Sequence, residues 1–133
     1  MNAFLQGLAS SLQKALGGRI LTLTERLDEL TLVVRDKDWL DAAQILRDHP
    51  ELRFEQLSDV CGMDYSEYRD GQWDGRRFAV VYHLLSVSLN QRIRVRVFAS
   101  DDEYPVVDSV MNLWSTANWY EREAFDLYGI VFN

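Results

Sequence analysis

Cysteine, histidine and glycine are all scarce in this chain of 133 residues, and each scarcity removes a class of function. A single cysteine, Cys61, permits no intrachain disulfide, so nothing points to secretion and a reducing compartment is the default. The two histidines, His49 and His83, lie too far from Cys61 and from each other to form a metal or iron–sulfur ligand motif. Cys61 is expected to pack as a small apolar residue, and His83, set within an apolar strand, as a hydrogen-bonded core side chain. The seven glycines fall singly at turns apart from Gly17-Gly18, and neither GxGxxG nor GxxxxGK[ST] occurs, so a phosphate-cradling loop is missing. No serine sits in a GxSxG elbow, which leaves nucleophilic hydrolysis without a foothold.

Positive charge is also in short supply. Lys and Arg number 14 against 21 Asp and Glu, a formal net charge of −7, which opposes both nucleic acid as a partner and direct docking on anionic lipid. No apolar run approaches the roughly 20 residues that a membrane helix needs, so membrane association is expected only through another protein. Met1 to Leu16 has no basic start, no uninterrupted apolar run and no cleavage pattern, and it is not Arg-rich, so it reads as neither a signal nor a transit peptide.

What is present is ordinary globular composition, 47% hydrophobic and 26% charged, in a length that suits one domain. Phe4, Leu5, Leu8, Leu12, Ala15 and Leu16 recur at helical spacing, and Gly17-Gly18 stops that helix. Residues 20–24 and then Leu30, Leu32 and Val34 alternate as strands, joined by a polar turn over Glu25 to Glu29. Asp36 or Asp38 is the expected cap of a second helix burying Trp39, Ala42, Ala43 and Leu46, which ends near His49 because Pro50 follows.

Phe54, Leu57 and Val60 lead into a strand around Ser58 to Asp64, and Ser66 to Arg77, with two Asp-Gly pairs, reads as a long hairpin loop. A strongly apolar strand spans Phe78 to Leu89. After an Asn90-Gln91 turn, Ile93, Val95 and Val97 alternate with Arg92, Arg94 and Arg96. Pro105 is expected to open a helix through Val106, Val107, Val110, Met111 and Trp114. A last helix runs from about Trp119 to Tyr128, with Tyr120, Ala124, Leu127 and Tyr128 on one stripe and Gly129 as its stop. The expectation is a single α+β domain over 1–133, a mainly antiparallel sheet with helices packed on one side.

Two clusters carry chemistry. Arg92, Arg94 and Arg96 form a basic row on one sheet face, which is either a candidate contact for an acidic partner or a solvated face paired with acids of neighbouring strands. The stretch from Trp119 to Gly129 is dense in aromatics and charge: Arg122 and Asp126 are spaced to pair, and Glu123 and Asp126 share a face. Its residues alone leave open an acid–base site, a protein interface or a salt-bridged structural helix.

That same stretch, NWYEREAFDLYGIVF, resembles the ERE-x-x-D-(apolar)-(apolar)-G-(apolar) core of the C subunit of bacterial NADH-quinone oxidoreductase, respiratory complex I. VVYHLLSVSLNQRIRVRV, PVVDSVMNLWSTANW and the N-terminal helix–strand layout resemble it too, so the likeness covers most of the chain. It implies a subunit of the hydrophilic arm, on the cytoplasmic side of the bacterial inner membrane. Such a subunit packs against the quinone-site D subunit and the cluster-carrying subunits, supporting electron transfer from NADH to quinone coupled to ion translocation. No redox group is implied in this chain itself, the iron–sulfur clusters and FMN belonging to neighbouring subunits. Glu121, Arg122, Glu123, Asp126 and Gly129 match the motif position by position, flanked by Trp119, Tyr120, Leu127 and Tyr128, and the implied role is docking and structure rather than catalysis. The family pattern continues beyond the Gly-Ile-x-Phe step into a basic segment whereas this chain stops at Asn133, so a missing C-terminal tail is expected.

Other readings stay in view. A subunit of a related membrane-bound hydrogenase would look similar. A small stand-alone enzyme using Glu121, Glu123 or Asp126 would show a pocket at that helix and a carboxylate with a raised pKa. An acidic adaptor unrelated to respiration would need partners outside any membrane complex.

Overall fold

The computed structural model describes residues 2–66 and 75–133. Helix α1 (Ala3–Leu16) buries Leu5, Leu8, Leu12 and Leu16, the stripe set by their three- and four-residue spacing. Asn2 caps it, its Oδ1 accepting the Leu5 N–H at 2.8 Å, and Gly17 ends it at φ +54, where a side chain would be strained. After a 3-10 turn over Gly17–Arg19, strands β1 (Ile20–Arg26) and β2 (Glu29–Arg35) form an antiparallel hairpin. The turn is tighter than the polar stretch from Glu25 to Glu29 suggests: only Leu27 and Asp28 lie outside the strands, at φ +53 and +64.

Helix α2 (Asp36–Asp48) buries Trp39, Ala42, Ala43 and Leu46, as their spacing predicts, and ends before His49-Pro50. Its N-cap is Arg35, without a side-chain cap, rather than Asp36 or Asp38. Asp36 instead joins the helix start to a distant loop, its Oδ2 accepting from both the N–H and the hydroxyl of Ser100.

Strands β3 (Gln56–Asp64), β4 (Phe78–Ser86) and β5 (Gln91–Phe98) complete a five-stranded sheet of order β1-β2-β5-β4-β3. All neighbours are antiparallel except β2 and β5, which run parallel with Thr31 beside Arg94. Strand β4 stops at Ser86, short of Leu89, because the chain turns over residues 87–90, with Asn90 at φ +52. Glu55 pins that turn by accepting the Val87 and Ser88 N–H groups. The hairpin loop expected over Ser66 to Arg77 falls mostly on residues 67–74, outside the described residues.

Alternation along the strands gives the sheet two unlike faces. Leu30, Leu32 and Val34 of β2, Val80, Tyr82 and Leu84 of β4, and Ile93, Val95 and Val97 of β5 face the core with α1 and α2. Trp39 of α2 packs on Tyr82 with ring centroids 4.5 Å apart. Each fully buried leucine in such a layer contributes about 1.5–3 kcal/mol.

The opposite face carries Thr31, Arg94, His83 and Asp59 in one row across β2, β5, β4 and β3. His83 is therefore half-buried on the outer face, its Nδ1 3.8 Å from Asp59 Oδ2, and not a core side chain: it alternates with Tyr82, which takes the inward position. Cys61, opposite Val81 in the same register, is exposed rather than packed. Partial desolvation, with Asp59 and Glu123 nearby, raises its thiol pKa.

The helix expected from Pro105 to Trp114 does not form. Pro105, Val106 and Val107 are better suited to extended backbone, since β-branched side chains lose rotamer freedom in a helix. Strand β6 (Val106–Val107) instead pairs in parallel with β7 (Val131–Phe132), across helix α3 (Ala117–Tyr128) in sequence. Val131 N–H donates to Pro105 O at 2.8 Å, Asn133 N–H to Val107 O at 3.1 Å, and Ser109 N–H to Asn133 O at 3.0 Å. Val110 and Trp114 are buried in the following turns, and the Trp114 indole donates to Phe54 O at 2.9 Å. The result is an α+β domain with a mainly antiparallel sheet and its helices on one side.

Candidate functional site

Helix α3 begins at Ala117, two residues before Trp119, and ends at Gly129, whose φ of +73 turns the chain toward β7 while its N–H donates to Phe125 O at 2.8 Å. The side that faces inward carries Ala117, Glu121 and Ala124, continued by Tyr128; of the expected stripe of Tyr120, Ala124, Leu127 and Tyr128, it takes in Ala124 and Tyr128, with Tyr120 at its edge, and leaves out Leu127. Leu127 is 67% exposed and Trp119 69%. Tyr120 is half-buried at the edge, its hydroxyl donating to Ser58 O at 3.3 Å. The helix comes close to the sheet at Gly62 of β3, where an added Cβ would sit 2.6 Å from Tyr128 Cδ2 and 3.4 Å from Ala124 Cβ.

Glu121 is the buried carboxylate of the motif, 5% exposed. Its Oε1 accepts the Ser109 hydroxyl at 2.6 Å and its Oε2 the Val110 N–H at 2.9 Å. Burial raises its pKa, opposed by those two hydrogen bonds. The loop it grips is the one that Asn133 O holds through Ser109 N–H, so one carboxylate ties α3 to the β6–β7 junction. Ser109, the Val110 amide and Gly62 all escape a reading of the sequence, because no motif or periodicity marks them.

Arg122, Glu123 and Asp126 are exposed, and among the described residues no ion pair within 4 Å includes any of them, so the expected Arg122–Asp126 pair is absent. Equal exposure of neighbouring helix positions leaves their long side chains solvated, where a pair gains little. Beside Glu121 lies a groove of about 570 Å3, bordered by Met111, Arg122, Phe125, Phe132 and Asn133. An acid–base enzyme calls for such a groove and such a carboxylate. Both Glu121 oxygens, however, are already engaged by the protein, and neither Glu123 nor Asp126 borders the groove.

The second cluster lies on the outer sheet face. Arg94 Nη2 is 2.6 Å from Glu29 Oε1, while Arg96 stands 5.9 Å from the Tyr65 ring centroid and Arg92 is exposed. The two clusters are not brought together: α3 covers Gly62 on the core face, and the arginines occupy the other. Among the described residues no group of three or more His, Cys, Asp or Glu is placed to hold a metal ion. Among them, too, no helix is long and apolar enough to cross a membrane.

Residues 32–133 match the family described as respiratory-chain NADH dehydrogenase, 30 kDa subunit. A relative from Cupriavidus taiwanensis, named as the C subunit of NADH-quinone oxidoreductase, is 60% identical over 131 residues, covering 98% of this chain and 66% of the relative. Proteins of the same name from Burkholderia multivorans (59% identity, 99% of this chain and 66% of the relative) and Ralstonia pickettii (60%, 94% and 62%) match comparably. The chain thus spans slightly less than two thirds of the length of these curated relatives. The fold matches a chain in the structure of the membrane-bound sulfane sulfur reductase, an archaeal respiratory membrane complex, with a TM-score of 0.77 at 18% identity, over 98% of this chain and 71% of that one. The match to the family model runs from the middle of β2 to the end of β7, including the Glu121–Gly129 motif, and with these relatives it shows that the chain belongs to the family of the respiratory-chain NADH dehydrogenase 30 kDa subunit, the C subunit of NADH-quinone oxidoreductase.

Proposed function

We propose that this chain is a structural, non-catalytic subunit of the peripheral arm of NADH:quinone oxidoreductase, on the cytoplasmic side of the bacterial inner membrane. It packs against the quinone-site D subunit and the cluster-carrying subunits, which hold the iron–sulfur clusters and FMN, and so supports electron transfer from NADH to quinone coupled to ion translocation. The observation that carries this is the division of labour on α3: Glu121 fixes the helix from its inner side, while Trp119, Phe125 and Leu127 stand exposed on it. Large exposed aromatics and a leucine next to Arg122, Glu123 and Asp126, which form no ion pair among the described residues, are the composition of an interface centre with a polar rim. Trp119, Tyr120, Leu127, Tyr128 and Gly129 thus serve docking and helix placement rather than chemistry.

The test uses the natural full-length chain in its host. Trp119→Ala with Leu127→Ala is expected to leave the purified chain folded, yet to lower both its recovery with the quinone-site D subunit and the NADH:quinone activity of the membranes. Undiminished recovery and activity would overturn the docking role.

The enzyme reading is supported by the groove and by the raised pKa of Glu121. It requires Glu121→Gln, which keeps the shape of the side chain, to abolish activity in an assembled complex. The structural reading requires that variant to stay active.

A further inference from the structure

The exposed side of α3 does not account for the opposite face of the sheet. There the charge of the chain is locally reversed in one concavity of about 510 Å3, where Arg26, Arg94 and Arg96 stand with Thr24, Leu27 and Thr31 against the single carboxylate of Glu29; Arg92 borders the next concavity, which also carries His83, Glu29 and Asp59. Only Arg94 of the three strand arginines has a carboxylate within 4 Å among the described residues, namely Glu29 at 2.6 Å. The Nε atoms of Arg94 and Arg96 are themselves buried without a hydrogen-bond partner among the described residues. Arg92, Arg94 and Arg96 recur every second residue of β5, about 7 Å apart, which is also the spacing of same-side groups on any extended chain. Guanidinium forks at that interval match carboxylates at alternate positions of a facing segment.

The rim of this concavity carries an apolar residue in an awkward place. Leu27 is 90% exposed at the β1–β2 turn, at φ +53, and is followed by Asp28 at φ +64. A two-residue hairpin with both central φ values positive is the geometry that Asn-Gly serves without strain. Here a leucine is held in the left-handed region with its side chain in water, so no burial of that side chain offsets the backbone strain. An apolar tip beside a basic groove suits a protein segment rather than a bare anion, and the net charge of −7 disfavours nucleic acid.

We propose that the outer face around Leu27, Arg92, Arg94 and Arg96 is a second docking surface, occupied by an extended acidic segment of a neighbouring subunit. It rests on the subunit reading for the presence of a neighbour, and it makes the chain a tether, with one protein against α3 and another against the far side of the sheet.

The test places a photo-crosslinking benzoylphenylalanine at Leu27 or Arg92 of the full-length chain in the intact complex, with Leu40 on α2 as a reference position. The expected result is that both sites cross-link to one segment of another subunit, with at least two carboxylates at alternate positions. Arg92→Glu should lower the yield from the Leu27 site at least tenfold, and Arg92→Lys should keep it within twofold. Cross-links confined to this chain, to a segment without acidic residues or to nucleic acid, or none at all, would overturn the surface while leaving the subunit reading intact. A purified complex that lacks this chain would overturn the subunit reading, and the second surface with it.

Discussion

Gly62 of β3 and Tyr128 of α3 approach so closely that a methyl group on the glycine would lie 2.6 Å from Tyr128 Cδ2. That contact fixes how deeply the motif helix sits on the sheet. Gly62→Ala is expected to destabilise the domain by about 1–3 kcal/mol, the usual cost of overpacking. Tyr128→Ala in the same chain should recover part of the loss, giving a non-additive cycle in urea unfolding. Additive effects would mean that the helix and strand adjust independently.

Glu121 gives a pH dependence of defined sign. Its folded-state pKa is raised above the ordinary 4.5, so the folded chain holds a proton that the unfolded chain releases, and stability contributed by this group falls as pH rises through that interval. Glu121→Gln should flatten this part of the stability–pH curve while remaining folded, since an amide can accept from the Val110 N–H and donate to the Ser109 hydroxyl oxygen. Glu121→Ala leaves the Val110 N–H and the Ser109 hydroxyl proton without their acceptor, while Ser109 Oγ keeps the Met111 N–H, and should cost about 1–3 kcal/mol at any pH where the domain is folded. Thermal unfolding from pH 4 upward checks both variants.

Much of this arrangement is legible in the sequence, and the exceptions have physical causes. Helices α1 and α2 and the hairpins declare themselves because their apolar residues follow one period without interruption. The inner stripe of α3 does not, because its central member is a carboxylate whose partners, Ser109 and the Val110 amide, lie on a loop that no periodicity connects to it. The same rule of hydrophobic spacing places Leu127 inward, yet it lies outward, because the helix is turned by the Glu121 contacts on its inner side and by the close approach of Tyr128 to Gly62. Val106 and Val107 need β7, far along the chain, before their extended preference reads as a strand. The arginine row is legible as a row, whereas Leu27 at a strained turn is not, because Leu-Asp is not a turn signal.

Asp64 and Arg77 form a two-point pair, Arg77 Nε to Oδ1 and Nη2 to Oδ2, both at 2.9 Å, and the hydrogen bond from Arg77 holds the Asp64 carboxyl well below the usual range. A depressed carboxylate stabilises the folded state above its unfolded value near 3.8 and loses that contribution as the pH falls below it. Asp64→Asn should therefore cost about 0.5–1 kcal/mol at neutral pH, the pair being partly solvated, and little near pH 2. Chemical denaturation at the two pH values compares them.

The docking role proposed for Trp119 and Leu127 predicts that folding and association come apart. Replacing either by Ala should move the melting temperature of the chain by no more than a degree or two, because neither is part of the core. The pair together should weaken binding to the neighbouring subunit by about 30-fold or more, as expected when interface anchors worth about 2 kcal/mol are truncated. Titration of the variant against the rest of the isolated complex measures this.

The parallel pairing of β2 with β5 dictates when the domain can fold. Thr31 meets Arg94 only after β3 and β4 have emerged between them, so the β1–β2 hairpin leaves the ribosome with one edge unsatisfied and waits about sixty residues for its neighbour. Pairing across so long an intervening segment costs more loop-closure entropy than either neighbouring hairpin, and until it forms the strand edge of β2 is open to the wrong chain.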